Sequence, residues 1–323
     1  MKPTVLIAYR GFGAIKIEKE TLRTIDVEII HVGATDTLAA REAVRGADAV
    51  MVTIQPVPAD LIASMERCRI IARVGTGLDA IDLNAATQHG VWVTYVPDYS
   101  IDEVSTHTLT LLLAQARGVA PLLLATQVGK WDSSGVYVRR LQGQVLGLVR
   151  CGRIGLATAA KGRGVGLEVI AYDPYANADT LAAAGVGAVD LPTLLRDSDF
   201  ISLHTPLTRD NRHIIDAAAL AQMKPSAYLI NTARGPLIDE AALLNAVRAG
   251  TIAGAALDVL SEEPPAADNP LLHEPHILIT PHVAWYSEAA KVDVRRRGAE
   301  EVVRVLRNED PHAPVNRVEA RRP

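Results

Sequence analysis

Short apolar runs rich in valine and isoleucine alternate along the chain with longer segments of helical period. This alternation is typical of repeated strand-helix-strand units and predicts a parallel sheet. It occurs twice, so two sheets are expected. The predicted strands of the first series are 5–8, 27–31, 49–54, 70–74 and 91–94, and those of the second are 145–149, 168–172, 200–204, 228–231, 255–257 and 277–280.

Two long segments of helical period flank the second series. One runs from about residue 102 to 117, and the other from about 286 to 306. We interpret the first as a helix between domains and the second as long enough to pack back on the first domain. The 323 residues are about twice a typical domain of ~150 residues. The prediction is an α/β protein of two doubly wound parallel-sheet domains joined by long helices, with residues 1–100 plus 284–323 in one domain and residues 101–283 in the other.

Composition and charge narrow the classes of function. Hydrophobic residues make up 49% and charged residues 22% of the chain, which predicts a compact globular protein. The formal net charge of -4 gives no footprint for nucleic acid or for an anionic membrane surface. The apolar run at residues 4–9 is far shorter than the ~20 residues of a membrane span. We therefore expect neither export nor a nucleic-acid or membrane partner.

Cysteine and histidine spacing argues against a metal site. Cys68 and Cys151 lack the paired spacing of a zinc site or a disulfide framework. No two histidines have the i, i+4 spacing that suits a metal on a helix. We expect no metal and a reducing, cytoplasmic location. The arginine run at 295–297 lies in a helical pattern and is predicted to be a solvated face.

A dinucleotide-binding turn is predicted after the strand at 145–149. The strand leads into Arg150-Cys151-Gly152-Arg153-Ile154-Gly155 and a helix, the context in which G-x-G-x-x-G binds a pyrophosphate. Asp173 ends the next strand about 20 residues further on, where a carboxylate accepts from ribose hydroxyls. The alternative is that Asp173 merely begins a turn with Pro174. Because a carboxylate repels a 2′-phosphate, and Pro174 and Tyr175 follow rather than an arginine, NAD is favoured over NADP.

Arg150 stands where the first glycine of this motif is expected. Three interpretations are open: a tolerated residue with negative φ, an extra cation near the pyrophosphate, or a side chain that obstructs the dinucleotide. If the turn needs a left-handed residue, a side chain there costs about 1 to 2 kcal/mol, which weakens binding about tenfold. We predict NAD binding that is weakened rather than lost.

Three chemically complementary residues follow predicted strands of the second domain. Arg234 comes after the strand at 228–231, Glu263 lies in the loop after 255–257, and His282 follows 277–280. A carboxylate beside the imidazole would stabilise the imidazolium and fix its ring, so that it can protonate a carbonyl oxygen. The guanidinium would bind a carboxylate and polarise the same oxygen. This set suits the reduction of a 2-oxo acid, although a structural role is the alternative for an isolated arginine or histidine.

Together with Arg73-Val74-Gly75-Thr76-Gly77-Leu78-Asp79, these segments resemble the D-isomer-specific 2-hydroxyacid dehydrogenases over about residues 45–308. The resemblance implies a flavodoxin-like substrate domain, a Rossmann NAD domain and a homodimer. It also implies that Arg234, Glu263 and His282 are catalytic.

The resemblance assigns further residues to the two ligands. The substrate residues that it implies are Val74, Gly75, Arg234, His282 and Trp285. The cofactor residues, with the glycine turn and Asp173 included, are Thr76, Thr106, Gly152, Arg153, Ile154, Gly155, Asp173, Pro174, His204, Thr205, Pro206, Thr232, Ala233, Asp258 and Ala284. Asp258 would lie by the nicotinamide amide, and residues 204–206 along the adenosine side.

Within the family, the segment 282–288 resembles the C-terminal-binding-protein group, where the tryptophan lines the substrate pocket. Trp285 therefore either selects a larger apolar 2-oxo acid or packs at an interdomain hinge. The departures from the family pattern are Arg150 and Ser105-Thr106. Trp131 is interpreted as a core or dimer contact, and Cys151 as a small buried hydrophobe.

The expected function is the NAD-dependent interconversion of a 2-oxo acid and its D-2-hydroxy acid. One alternative is an NAD-sensing binding protein, like the corepressors of that group, with vestigial catalysis. Another is an enzyme like phosphoglycerate dehydrogenase. Its phosphorylated substrate would use basic groups of the first domain, for which Arg10 and Arg73 are available.

Overall fold

The structure is a computed structural model that describes residues 2–9, 12–33 and 38–318, without the side chains of residues 38 and 39. Close contacts divide the chain into two units. Unit 1 is Met1–Tyr99 with Ser287–Pro323, and unit 2 is Ser100–Tyr286. These divisions lie within three residues of the boundaries expected from the sequence.

Unit 1 contains, in its described residues, a parallel sheet of five strands in the order β2-β1-β3-β4-β5. This is the flavodoxin-like order, so that prediction is confirmed. The strands are β1 (Thr4–Ala8), β2 (Glu28–Val32), β3 (Ala49–Val52), β4 (Ile70–Arg73) and β5 (Trp92–Thr94). The helices are α1 (Lys16–Leu22), α2 (Leu38–Gly46), α3 (Ala59–Ala63), α4 (Leu83–Gln88) and, from the end of the chain, α12 (Glu288–Leu306).

Both faces of this sheet are covered, which is why its strands are continuously apolar. Along β1, Leu6 and Ala8 belong to one core and Val5 and Ile7 to another, because successive side chains of a strand point to opposite faces. Helix α12 contributes apolar side chains to the second of these cores. The last long helix therefore packs on this sheet.

The predicted solvated face at 295–297 is wrong for Arg295. This residue is 3% exposed, and its guanidinium makes two hydrogen bonds of 2.6 Å to the carboxylate of Glu18, which is fully buried on α1. Arg296, by contrast, is exposed and pairs with carboxylates of its own helix. The physical reason is that Arg295 lies on the flank of α12 that meets α1, where a buried carboxylate needs a counter-charge.

Unit 2 contains, over the residues that are described, a parallel sheet of seven strands in the order β12-β11-β10-β9-β6-β7-β8. From β8 to β11 this is the Rossmann order, so that prediction is also confirmed. The strands are β6 (Val145–Val149), β7 (Glu168–Tyr172), β8 (Gly187–Ala188), β9 (Phe200–Leu203), β10 (Tyr228–Asn231), β11 (Gly254–Leu257) and β12 (Ile277–Ile279). The helices are α5 (Ile101–Ala116), α6 (Val119–Gln127), α7 (Arg153–Gly164), α8 (Ala178–Ala183), α9 (Leu191–Asp197), α10 (Ala217–Leu220) and α11 (Glu240–Arg248), with 3-10 turns at Gly235–Leu237 and Pro270–His273.

Strand bounds agree closely with the sequence predictions. Three strands, β6, β7 and β10, begin and end at the predicted residues, and the other predicted strands differ by at most two residues at either end. The strand that the pattern missed is β8, because its two residues are too few to show a period.

Across the described residues, no single helix combines the length and apolar character needed to cross a membrane, whereas the bent pair Ile101–Ala116 and Val119–Gln127 meets that test jointly, by length and composition alone.

Candidate active site

Three neighbouring strands of unit 2 end at the candidate site. Strands β10, β11 and β12 pair side by side and run parallel, so their carboxyl ends share one edge of the sheet. The segments that follow them carry Arg234, Glu263 and His282, in that order. The structure therefore brings the three predicted residues to the edge where ligands of such sheets bind.

His282 and Glu263 form a direct pair. The imidazole Nδ1 lies 2.5 Å from Oε2 of the carboxylate, and Oε1 accepts from the amide of Leu260 at 3.0 Å. Burial raises the pKa of Glu263, but the hydrogen bond and charge of His282, the Leu260 amide and the Arg234 guanidinium outweigh it and hold the pKa below its ordinary value. Glu263 is thus an ionised acceptor at neutral pH, and Nε2 is the ring nitrogen that does not face it.

Asn231, the last residue of β10, shapes the turn that carries Arg234. Its buried side-chain amide accepts from the amide of Ala233 at 3.0 Å and donates to the carbonyl of Arg234 at 2.8 Å. The half-buried Arg234 guanidinium donates through Nη1 to the carbonyl of Ala233 at 2.6 Å. Asn231 is not among the site residues predicted from the sequence, although a polar residue that closes an apolar strand is an available signal.

Asp258, directly after β11, holds the segment that carries His282. Its carboxylate accepts from the hydroxyl of Thr280 at 2.5 Å and from the amides of Val283 and Ala284 at 3.0 and 2.8 Å. Its carbonyl accepts from the amide of His282 at 2.8 Å. Asp258 is therefore a positioning residue for His282. The nicotinamide contact implied for Asp258 and the cofactor contact implied for Ala284 stay predictions.

The backbone of His282 is in the left-handed region, with φ of 53°. For a residue with a Cβ this conformation costs about 1 to 2 kcal/mol, and such strain is characteristic of functional sites. Trp285 supports the same segment, because its indole Nε1 donates to the carbonyl of His282 at 3.1 Å. The role of Trp285 in substrate selection stays a prediction.

Helix α5 supplies two side chains to the same strand ends. The Thr108 hydroxyl, which is buried, lies 2.8 Å from that of Thr232, and Nε2 of His107 lies 3.0 Å from the hydroxyl of Thr280. Neither Thr108 nor His107 is among the site residues predicted from the sequence. The contact of Thr232 with the cofactor stays a prediction.

The turn after β6 has the features that a dinucleotide needs. Gly152 caps α7, and a Cβ built on Gly152 would meet nothing within 4 Å. A phosphate can therefore approach the amides of the first helical turn, at Arg153 and Ile154, where the helix dipole favours an anion. At Gly155 an added Cβ would lie 2.9 Å from the Arg150 carbonyl oxygen, so glycine is needed for close packing of helix and strand. The residues present fit the pyrophosphate of NAD.

Arg150 adopts φ of 72°, so the interpretation with negative φ is wrong. Its Nη1 lies 3.3 Å from Oδ1 of Asp173, and that carboxylate also accepts from the amides of Cys151 and Tyr175 at 2.9 and 3.0 Å. Burial raises the pKa of Asp173, but these amides and the guanidinium hold it below its ordinary value. Asp173 does begin a turn with the exposed Pro174. Its contact with ribose stays a prediction.

Two titratable groups near the turn are neutral at physiological pH. Burial lowers the pKa of His204 to about 4, and its Nε2 lies 3.0 Å from the hydroxyl of Ser202. Burial also raises the pKa of the Cys151 thiol to about 11, in keeping with a small buried hydrophobe. Thr205 is buried and Pro206 exposed directly after β9. The adenosine-side roles of residues 204–206 stay predictions.

The departure at Ser105-Thr106 has a structural partner. Lys161 of α7 donates to the hydroxyls of Ser105 and Thr106 at 2.7 and 2.6 Å, and to the carboxylate of Asp102 at 2.7 Å. Thr106 therefore helps to tie α5 to the helix of the glycine turn. Its contact with the cofactor stays a prediction.

In unit 1 the predicted substrate loop follows β4. The amide of Val74 donates to the carbonyl of Val52 at 2.8 Å, and that of Gly75 to the carbonyl of Arg73 at 3.0 Å. A substrate carboxylate would thus have to replace an acceptor that each amide already has. The Arg73 guanidinium donates to the carbonyls of Val74 and Gly77 at 2.7 and 2.8 Å, so it stabilises the loop.

Thr76 is exposed and its hydroxyl donates to the carbonyl of Val96 at 3.0 Å, and its cofactor contact stays a prediction. Arg10 lies outside the described residues. Within the described ranges, no group of three or more histidine, cysteine or acidic residues is arranged to hold a metal ion.

A family model and known enzymes match this chain. The model of the D-isomer-specific 2-hydroxyacid dehydrogenase NAD-binding domain matches residues 109–284. The chain is 39% identical to D-3-phosphoglycerate dehydrogenase of Methanocaldococcus jannaschii, over 85% of this chain and 53% of that protein. It is 36% identical to glyoxylate reductase of Korarchaeum cryptofilum, over 85% of this chain and 84% of that protein. The chain therefore belongs to the D-isomer-specific 2-hydroxyacid dehydrogenase family.

A solved structure agrees with this assignment. D-Lactate dehydrogenase of Aquifex aeolicus, complexed with NAD and lactic acid, superposes with a TM-score of 0.87 and 28% identity, over 94% of this chain and 96% of that one. The chain spans about half the length of the phosphoglycerate dehydrogenases that it matches. The nearer relation to the C-terminal-binding-protein group stays a prediction.

Proposed function

We propose that this chain is an NAD-dependent D-2-hydroxyacid dehydrogenase that interconverts a small 2-oxo acid and its D-2-hydroxy acid. The observation that carries the proposal is the 2.5 Å pair of His282 and Glu263, with Arg234 at the end of the adjacent strand. Glyoxylate reductase and D-lactate dehydrogenase among its relatives support the substrate class. The open approach at Gly152 supports the cofactor.

His282 handles the proton in the proposed reaction. With ionised Glu263 facing Nδ1, the imidazolium carries its other proton on Nε2 and donates it to the carbonyl oxygen of the 2-oxo acid. Arg234 binds the substrate carboxylate and polarises that oxygen. When bound, NADH supplies the hydride to the carbonyl carbon. In the reverse direction the neutral Nε2 accepts the hydroxyl proton, and Glu263 stabilises the charge that forms.

The test is a fluorescence titration of the protein with NADH, followed by oxidation of NADH with a panel of 2-oxo acids. Glyoxylate, pyruvate, hydroxypyruvate and branched or thioether 2-oxo acids cover the range from small to large side chains. We expect binding, and turnover with at least one of them. Binding without any turnover would instead favour the NAD-sensing alternative.

Similarity to phosphoglycerate dehydrogenases favours a second candidate function. A phosphorylated substrate needs basic partners, and the Arg73 guanidinium already donates to two carbonyls of its own loop. We therefore expect kcat/KM for 3-phosphoglycerate to be about 100-fold below that of the best unphosphorylated hydroxy acid. Steady-state rates of NAD reduction at one pH measure this ratio. A preference for 3-phosphoglycerate would establish the second candidate instead.

We further propose a homodimer formed through α6 and the segment after it. Leu123 and Leu124 on α6 are 53% and 63% exposed, and Trp131 is 94% exposed. The interpretation of Trp131 as a core residue is therefore wrong, and a dimer contact is what we propose for it. A second copy would remove this apolar patch from water.

Leu124→Glu should convert the dimer to a monomer, because a carboxylate buried at the interface without a partner costs several kcal/mol. Light scattering after gel filtration measures the mass. Val292→Glu is the matched control, since Val292 on α12 is 47% exposed and lies outside the proposed interface. It should leave the mass unchanged. A monomeric parent protein, or a Leu124→Glu dimer, would contradict the proposal.

We also propose a cytoplasmic location without nucleic-acid or membrane partners. The net charge of -4 supports this, as do two buried free thiols, Cys68 and Cys151, which suit a reducing compartment. Fractionation of cells that produce the protein tests the location.

A further inference from the structure

Arg150 lies against the carboxylate that the cofactor's ribose would meet. Its left-handed backbone directs the side chain toward Asp173, with Nη1 3.3 Å from Oδ1. The guanidinium carbon also lies 3.9 Å from the centre of the Tyr175 ring. The Arg150 side chain is 22% exposed, so it is a partly buried cation with two defined neighbours. The sequence places no arginine directly after Asp173, but the fold brings one there from the end of β6.

The acceptor capacity of Asp173 is largely used within the protein. Oδ2 accepts from the amide of Cys151, and Oδ1 accepts from the amide of Tyr175 and from Arg150. A carboxylate offers about four lone-pair positions. The adenosine ribose of NAD presents two hydroxyl donors. Both can bind Asp173 only if one of its three present donors leaves. The pairing of Arg150 with Asp173 therefore weakens the acceptance of ribose hydroxyls, which is the feature that selects NAD over NADP.

The net charge around Asp173 also favours a 2′-phosphate. An unpaired carboxylate repels a 2′-phosphate, whereas a carboxylate and the guanidinium paired with it have little net charge together. A guanidinium stacked by one face on an aromatic ring keeps its N–H edge for hydrogen bonds, and that edge matches phosphate oxygens in geometry. Asp173 accepts from Nη1 of this guanidinium, so other N–H groups of Arg150 can donate to a phosphate while the pair with Asp173 is kept.

We propose that Arg150 makes the adenosine ribose subsite accept a 2′-phosphate, so that the chain binds NADPH about as tightly as NADH. This inference rests on the proposed function, because it assumes that the turn after β6 holds a nicotinamide dinucleotide. With NADPH, Arg150 contacts the 2′-phosphate and keeps its pair with Asp173, and with NADH it contacts Asp173 alone. The residue is a determinant of cofactor specificity and takes no part in the chemical step.

The test is the ratio of the dissociation constants for NADPH and NADH, measured by fluorescence titration without any 2-oxo acid. In the parent protein this ratio should lie within about tenfold of unity. Arg150→Gly should raise it by about 10- to 100-fold, the equivalent of losing one or two good hydrogen bonds to a charged group. Arg150→Met, which keeps a long side chain but removes the charge, should also raise it. In the parent protein, added salt should weaken NADPH more than NADH, and Arg150→Met should abolish that difference.

Several results would overturn the inference. One is a parent protein that binds NADH more than about tenfold more tightly than NADPH, and another is a ratio that neither variant changes. A third is a parent protein that binds neither dinucleotide while Arg150→Gly binds NADH, since Arg150 would then obstruct the site. Failure of the proposed function is separate: no turnover with any 2-oxo acid, while Arg150 still sets the binding ratio, removes the dehydrogenase but leaves the subsite as described. Thermal melting of each variant checks that the fold is intact.

Discussion

Replacing His282 with asparagine should lower kcat/KM for 2-oxo acid reduction by about 10²- to 10⁴-fold, the usual contribution of a general acid. The asparagine amide does not ionise at neutral pH, so it cannot act as a general acid, and it cannot form the charged pair with Glu263. The fold should not weaken, because asparagine tolerates the left-handed backbone that His282 adopts at φ of 53°. Initial rates with NADH and the best 2-oxo acid, and the Tm by calorimetry, measure the two effects.

The chain offers a matched control for this substitution. His213 is also left-handed, at φ of 55°, and its amide donates to the carbonyl of Pro236 at 2.9 Å. His213→Asn makes the same chemical change at a residue with no proposed role in proton transfer. It should leave kcat/KM unchanged, and both variants should keep or slightly raise the Tm. If His282→Asn retained a tenth of the parental rate, His282 would not be the acid.

The fold was largely predictable because its signal is local. Each strand of a covered parallel sheet is a short apolar run, and each connection has helical period, so elements such as β6 and β10 are visible in a few residues. The prediction that rested on local composition alone, the solvated face at 295–297, was wrong for Arg295. Arg295 has the charge of a surface residue, and only the packing of α12 against α1 shows that it is paired with the buried Glu18.

The candidate catalytic residues were predictable for a related reason, since strand order places the carboxyl ends of β10, β11 and β12 together. The hydrogen bonds that hold these residues were not predictable, because each joins residues that are distant in sequence. The carboxylate of Asp258 accepts from the amides of Val283 and Ala284, more than twenty residues away. The hydroxyls of Thr108 and Thr232 contact each other across more than one hundred residues. The direction of the Arg150 side chain likewise follows from a backbone φ that the sequence left open.

Gly235→Ala should damage both stability and catalysis, because Gly235 packs directly on the backbone that supports Glu263. A Cβ there would lie 2.0 Å from the carbonyl carbon of Leu260 and 2.3 Å from the amide nitrogen of Ser261. These are backbone atoms, so the clash moves a chain segment and not a side-chain end. We expect a loss of about 1 to 3 kcal/mol in the free energy of unfolding, as for other overpacked sites. Denaturant titration measures it.

Catalysis should fall by more than the loss of folded protein explains. The amide of Leu260 donates to Oε1 of Glu263, and Oε2 of Glu263 pairs with His282. A displacement of Leu260 therefore moves Glu263 and, through it, the general acid His282. A displacement of about 1 Å can cost about 100-fold in kcat. Gly164→Ala is the control, since a Cβ there meets nothing within 4 Å, and it should keep the rate and stabilise α7 by up to about 1 kcal/mol. A Gly235→Ala variant with parental kcat would mean that the Leu260 segment can shift without moving Glu263, and that the pair is held by His282 alone.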